Sequence, residues 1–238
     1  MSRLRTYWFD LRTLPADATL AYRHEGVSGA WAALASRSLH RLVRTGRLIV
    51  FAHSLADHAK LVLPTDVRIA KAAADDLNDL TPLVGTRDVR RFHALLENGR
   101  HCLIAWRGTD PVGYAWVAGT VGPDVAIWPL PFDFPPTAAY LWNLYVLPSE
   151  RAQGIGSALA KARLRLAGEQ GFREGWRMVA PSNAASLQTV RKSAGTTRIV
   201  GEIRFVQLLS RTRARFTPAV GDLQGIDIPT TKVVISHT

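Results

Sequence analysis

The chain has 238 residues, 47% of them apolar, and a formal net charge of +11, so it can bury a sizeable core in one or two domains. No apolar run approaches the ~18 residues of a membrane-spanning helix, and no h-region follows Arg3 and Arg5, so neither a membrane span nor a secretory leader is expected. Cys102 is the sole cysteine, which rules out a disulfide within the chain and makes a reducing, cytoplasmic setting the natural one.

The positive charge is mostly arginine, since Lys60, Lys71, Lys161, Lys192 and Lys232 are the only lysines. Such a field attracts polyanions of any kind. No RNP, zinc-knuckle or helix-turn-helix pattern accompanies it, so it reads as an arginine-rich solvated surface, and neither nucleic acid nor membrane is an expected partner. Arg204, Arg211, Arg213 and Arg215 thicken near the end.

In chain order, Tyr7–Leu11 has the pattern of a short strand. A helix is predicted from Ala30 to Thr45, with Trp31, Leu34, Leu39, Leu42 and Val43 to one side and Gly46 ending it. Arg47–Ala52 reads as a strand. Pro64-Thr65 marks a boundary, so 1–65 is expected to form an α/β extension packed on the core. Asp75 to Asn98 predicts two helices, with Asp75 as N-cap and a break at Gly85–Asp88. Cys102–Trp106 and Val112–Ala118, joined by a Gly/Asp/Pro turn, make an antiparallel hairpin. Residues 119–137 form a long proline-rich connection carrying Trp128, Phe132 and Phe134. It is either a loop clamped to the surface by its aromatics or a lip over a cleft.

Tyr140 to Leu147 is a nearly continuous apolar run, interrupted only by Asn143, and is expected to be a strand buried on both faces. After the turn residues Pro148-Ser149-Glu150, Arg151-Ala152-Gln153-Gly154-Ile155-Gly156 leads into a helix with Leu159, Ala162 and Leu166 inward and Lys161, Arg163 and Arg165 outward. A buried strand, a glycine-containing loop and a helix N-terminus together suit phosphate binding. The first-turn N–H groups have no partner there, and the dipole adds about half a positive charge. Neither G-x-G-x-x-G nor G-x-x-x-x-G-K-[ST] is present. Gly201–Leu209 predicts a last strand. Residues 211–238 form a tail with a late apolar run, Val233–Ile235.

The segment R-x-x-G-x-G at Arg151, Gly154 and Gly156 resembles the [Q/R]-x-x-G-x-[G/A] signature of the GNAT superfamily of acyl-CoA-dependent N-acetyltransferases. Val179 to Ser186, followed by Lys192 and Gly195, resembles that family's fifth strand, its asparagine and the following helix. Val67 to Leu77 resembles its first strand and the start of its first helix. The resemblance spans about residues 66–210 and implies an α+β fold with α/β/α layers. Its sheet would be mixed and mostly antiparallel, splayed in a V between the fourth and fifth strands, with helices on both faces.

The resemblance implies acetyl-CoA or another acyl-CoA as co-substrate, no metal, and a small-molecule amine as acceptor; a homodimer is compatible with it. Residues implied to contact coenzyme A are Leu144, Val146, Arg151, Gln153, Gly154, Ile155, Gly156, Ser157, Asn183, Ser186 and Lys192. Where many relatives carry a tyrosine that protonates the leaving thiolate, this chain has Val190, and where they carry an acidic residue on the fourth strand it has Asn143. The remaining candidates for catalysis are Tyr145, Asn143 and Tyr140, with Ser186 and His101 as further polar groups. The departures keep a second reading open, a non-catalytic acyl-CoA-binding or interaction module on the same fold.

Overall fold

Short apolar runs separated by Gly, Asp and Pro turns build a sheet, and the stretches with helical periodicity cover it. A computed structural model of the protein describes residues 43–55, 63–121, 130–192, 197–208 and 211–219, together with Thr19, Tyr22 and Val27. The strand expected at Tyr7–Leu11, most of the helix expected from Ala30, Trp128 and the run Val233–Ile235 lie outside these residues.

The elements are β1 (Val43–Ser54), β2 (Val67–Lys71), α1 (Asp76–Asp79), α2 (Thr81–Glu97), β3 (His101–Arg107), β4 (Asp110–Ala118), β5 (Ala138–Val146), α3 (Ile155–Glu169), β6 (Glu174–Val179), α4 (Ala184–Arg191), β7 (Thr197–Leu208) and β8 (Arg211–Pro218). The strands form one sheet of eight in the order β2-β3-β4-β5-β6-β1-β7-β8. Every neighbouring pair is antiparallel except β5 and β6, which run parallel.

On one face, α1 and α2 bury Leu77, Leu80, Val89, Phe92 and Leu95 against Cys102, Ile104, Tyr114 and Trp116. On the other, α3 packs Ile155, Leu159 and Ala162 on Leu103, Ala105 and Ala115, while α4 packs Leu187 and Val190 on Phe51, Val179 and Ile199. The mixed, mostly antiparallel sheet with helices on both faces is the architecture expected. Gly85, at φ 80° and ψ 160°, interrupts α2 where the break was predicted. Asp75 makes no side-chain cap; Asp76 instead accepts from the Ala73 N–H at 2.7 Å.

Three sequence expectations are corrected. Residues 43–45 begin β1 and do not end a helix, and Gly46 lies mid-strand opposite Phe205. A Cβ at Gly46 would come within 2.4 Å of the Phe205 ring, so this glycine makes room for a cross-strand aromatic. Residues 211–218, expected in a tail, form β8 along β7, which itself starts at Thr197. β1 lies inside the sheet between β6 and β7, so Pro64-Thr65 sits in a connection between two strands of one sheet. Phe132 and Phe134 of the long connection pack on Trp176, and Phe132 also meets Phe216, which clamps this part of the loop to the sheet.

Candidate functional site

The site begins with an irregularity in β5. Asn143 has φ 48°, a left-handed conformation that Asn tolerates better than most residues, and the pairing with β4 slips there, from Tyr114↔Tyr145 to Trp116↔Trp142. This bulge adds one residue to the strand's two-residue alternation. Tyr140, Trp142 and Tyr145 therefore all turn toward the α1/α2 face, and Leu144 and Val146 turn toward α3. The Asn143 side chain hydrogen-bonds Tyr114, whose hydroxyl is pushed to higher pKa chiefly by burial.

β5 and β6 pair only over Ala138–Tyr140 and Glu174–Trp176. Beyond that point they part, and the second half of β5 is not buried on both faces as expected: Asn143 is exposed and its neighbours Trp142, Leu144 and Tyr145 are half-buried. The gap is a cleft of about 600 Å³, within the range of small-molecule sites. The Leu147 N–H bonds Val112 O of β4 at 2.9 Å, so strand alternation turns the Val146 N–H and C=O toward the cleft. The Val146 oxygen accepts from Arg151 Nε at 3.2 Å.

At the outer end of the cleft, a 3₁₀ turn, Pro148–Glu150, leads into the loop before α3. Gly154 has φ 87°, which a side chain would strain, and it stands at the helix N-cap without a side-chain cap. A Cβ on Gly156 would make only ordinary contact with Val146, 3.7 Å away. The loop is held from the β3 end by Arg107, which donates to Glu150 at 2.8 Å and to Gln153 Oε1 at 2.7 Å and also pairs with Asp66. Across the cleft, Asn183 caps α4 by accepting from the Ser186 N–H at 3.0 Å.

At the inner end lie residues that the sequence reading misplaced or missed. Arg163 does not point outward: it is 3% exposed and lines the cleft, donating to the Trp142 oxygen at 3.2 Å. That carbonyl has lost its strand partner to the splay, which is the physical reason for a donor there. Arg177 of β6 is 6% exposed and also lines the cleft. Burial and repulsion from Arg177 bring Arg163 down to about 9, and burial brings Arg177 down to about 10; both stay charged at neutral pH. Behind them His53 of β1, 1% exposed, meets Thr197 Oγ1 at 2.7 Å, and burial with the two arginines pushes its pKa down to about 3, so it is neutral. Spacing carried the signal for the arginines. Arg163 follows the buried Ile155 and Leu159 at four-residue steps, and Arg177 alternates with Gly175 and Val179 on one strand face.

Of the residues singled out in the sequence, Asn143, Leu144, Tyr145, Val146, Arg151, Gly154, Gly156, Ser157, Asn183, Ser186 and Lys192 all line this one cleft. Three do not. Tyr140 stacks on Trp142 at 5.7 Å, is edge-on to Phe134, and is pushed up to about 12 by burial. The Gln153 side chain is occupied by Arg107 and the Ser149 oxygen. The Ile155 side chain is core. His101 stands at the start of β3, opposite Val117 of β4 and away from the cleft. Cys102 is fully buried, its thiol pushed up by burial, as a core residue would be. Val190 is buried against Phe51 and Ile199 and offers no polar group. Among the described residues no three His, Cys, Asp or Glu side chains group as they would around a metal ion. No helix among them is long and apolar enough to cross a membrane.

A family model, the acetyltransferase (GNAT) family, matches residues 71–195, more than half of the chain. The chain belongs to this family. The match runs from β2 through α4 and so contains β5, the glycine loop and α3. Among solved structures, a Drosophila protein is 15% identical over 78% of this chain and 68% of its own, with a TM-score of 0.53. The GCN5-related glucosamine N-acetyltransferase region of a fungal multi-domain GH3 β-N-acetylglucosaminidase is 12% identical over 74% of this chain and 22% of its own, with a TM-score of 0.50. Diaminobutyrate acetyltransferase from Paenibacillus lautus, in complex with L-2,4-diaminobutyric acid and coenzyme A, is 23% identical over 56% of this chain and 76% of its own, with a TM-score of 0.43. No curated protein matches the chain by sequence.

Proposed function

We propose that the protein is an N-acyltransferase, moving an acyl group, in the first instance acetyl, from acyl-CoA to the amine of a small molecule within a ternary complex. The observation that supports this most directly is the cleft itself. Open main-chain groups of β5, the N-terminal loop of α3 and the capped N-terminus of α4 all face one gap in a GNAT-family chain. The fit is chemical as well as spatial: the loop has free first-turn N–H groups, and Arg151 and Lys192 supply charge at its rim.

Bound acyl-CoA supplies an activated thioester carbonyl. The amides from Gln153 to Gly156, with the α3 dipole and Arg151, hold the diphosphate, while Leu144, Asn183, Ser186 and Lys192 line the path of its arm. The Val146 N–H, turned into the gap, donates to the oxygen on which negative charge develops. The amine attacks once uncharged; a C–N bond forms, the C–S bond breaks, the amine's proton leaves through water or Tyr145, and the thiolate takes up a proton. Holding both reactants in line can contribute ~7–11 kcal/mol, so turnover does not require an ideal base. Mixing the protein with acetyl-CoA and an amine panel, while following free thiol, tests this. Release that depends on an amine is expected; no binding of any acyl-CoA sinks the reading. Val190 in the core, where relatives carry a tyrosine, favours one alternative, an acyl-CoA-binding module, and binding without turnover on any acceptor would select it.

A further inference from the structure

The diphosphate and the oxyanion leave the charge at the inner end of the cleft without a role. Five arginines on more open ground have carboxylates: Glu202 to Arg47 and Arg204, Glu150 to Arg107, Glu169 to Arg165, and Glu174 to Arg198. Arg163 and Arg177 are the buried arginines among the described residues, and neither has an ion pair there. Their Nε atoms are buried without a hydrogen-bond partner. The Trp142 carbonyl accounts for one donor of Arg163. Among the described residues the Arg177 side chain makes no hydrogen bond, its backbone alone being paired, in the β1–β6 ladder. Two adjacent buried cations repel each other and lose hydration, a cost that an anion between them offsets. His53, neutral behind them, contributes no charge of its own.

From this geometry we infer that Arg163 and Arg177 hold a carboxylate belonging to one of the two reactants, either at the far end of the acyl group or on the amine acceptor. The inference rests on the acyl-CoA reading and deepens it. The outer loop already suits the diphosphate, and planar guanidinium forks match a carboxylate edge to edge. With a carboxyacyl thioester the bond changes are those given above, and the carboxylate takes no part in them. A purely structural role for the pair would explain the Arg163 bond to Trp142 and leave Arg177 idle.

The test is calorimetry on the full chain in two arms. In the first, succinyl-CoA is compared with acetyl-CoA; in the second, amino acids are compared with their decarboxylated amines on protein saturated with coenzyme A. A preference of about ten-fold or more for the carboxylate is expected in one arm, and which arm shows it identifies the source. Arg177→Gln should erase that preference and Arg177→Lys should restore part of it; since the wild-type comparison needs no variant, a misfolded variant does not weaken the test. Acetyl-CoA binding with no carboxylate preference in either arm overturns the inference and leaves the acyltransferase reading standing. Absence of heat with both thioesters overturns that reading, and the inference with it.

Discussion

The two ends of the cleft handle positive charge in opposite ways. At the outer end the charge is wet: Arg151 and Lys192 are exposed, and the proposed diphosphate site is made of main-chain amides on a loop bolted down by Arg107. At the inner end it is dry: Arg163 and Arg177 sit beside a neutral histidine with no carboxylate among the described residues. A wet cation attracts ligands at little cost to the fold, whereas a dry one destabilises the fold until something binds. Under the proposed function the outer end would serve capture and the inner end discrimination.

Four changes would break or sharpen that contrast. The largest effect is expected from Gly154→Val, which forces a branched side chain into a left-handed loop position. Strain of about 3 kcal/mol should weaken acyl-CoA binding ~100-fold in calorimetry. Next is acid. The unfolded chain protonates His53 below about 6.5, while the folded chain does so only near 3. The stabilisation is therefore complete above pH 6.5 and drains away as pH falls through that window. Chemical denaturation should show a loss of about 2 kcal/mol between pH 7 and pH 5, and His53→Gln should flatten that slope. Third, Arg177→Leu removes a buried charge, so stability should rise by ~1 kcal/mol, read as a melting temperature about 2–4 °C higher. A lower melting temperature would mean that Arg177 is structurally required. The smallest effect belongs to Arg107→Ala: its ion pairs are solvated, so the melting temperature should barely fall and acyl-CoA affinity should drop by only a few-fold.

How much of this was legible in the sequence follows the same division. The outer end is local: strand, turn, glycine loop and helix N-terminus are consecutive, and R-x-x-G-x-G announces them. The hairpin of β3 and β4 and the break at Gly85 are local too. The inner end depends on contacts between distant residues, with Arg163 of α3, Arg177 of β6 and His53 of β1 meeting only once the sheet is assembled. Reading charge as exposure put Arg163 on the wrong face, although its four-residue spacing from Leu159 argued otherwise. The apolar run of β5 misled for another reason: it was read as buried on both faces, but a bulge at Asn143 and the parting from β6, which no composition rule signals, leave its second half partly open. Gly46 was read as a helix stop because its true neighbour, Phe205, lies far along the chain.

The position of β1 bears on how the protein is made. Its strand emerges from the ribosome early, yet Ile49 faces Val179 and Leu48 faces Ile203, both synthesised much later. Until β6 and β7 exist, Leu48–Ala52 is an apolar segment with two open edges. Closure of that central slot must wait for nearly the whole described chain, which favours slow folding with a need for shielding in the interval.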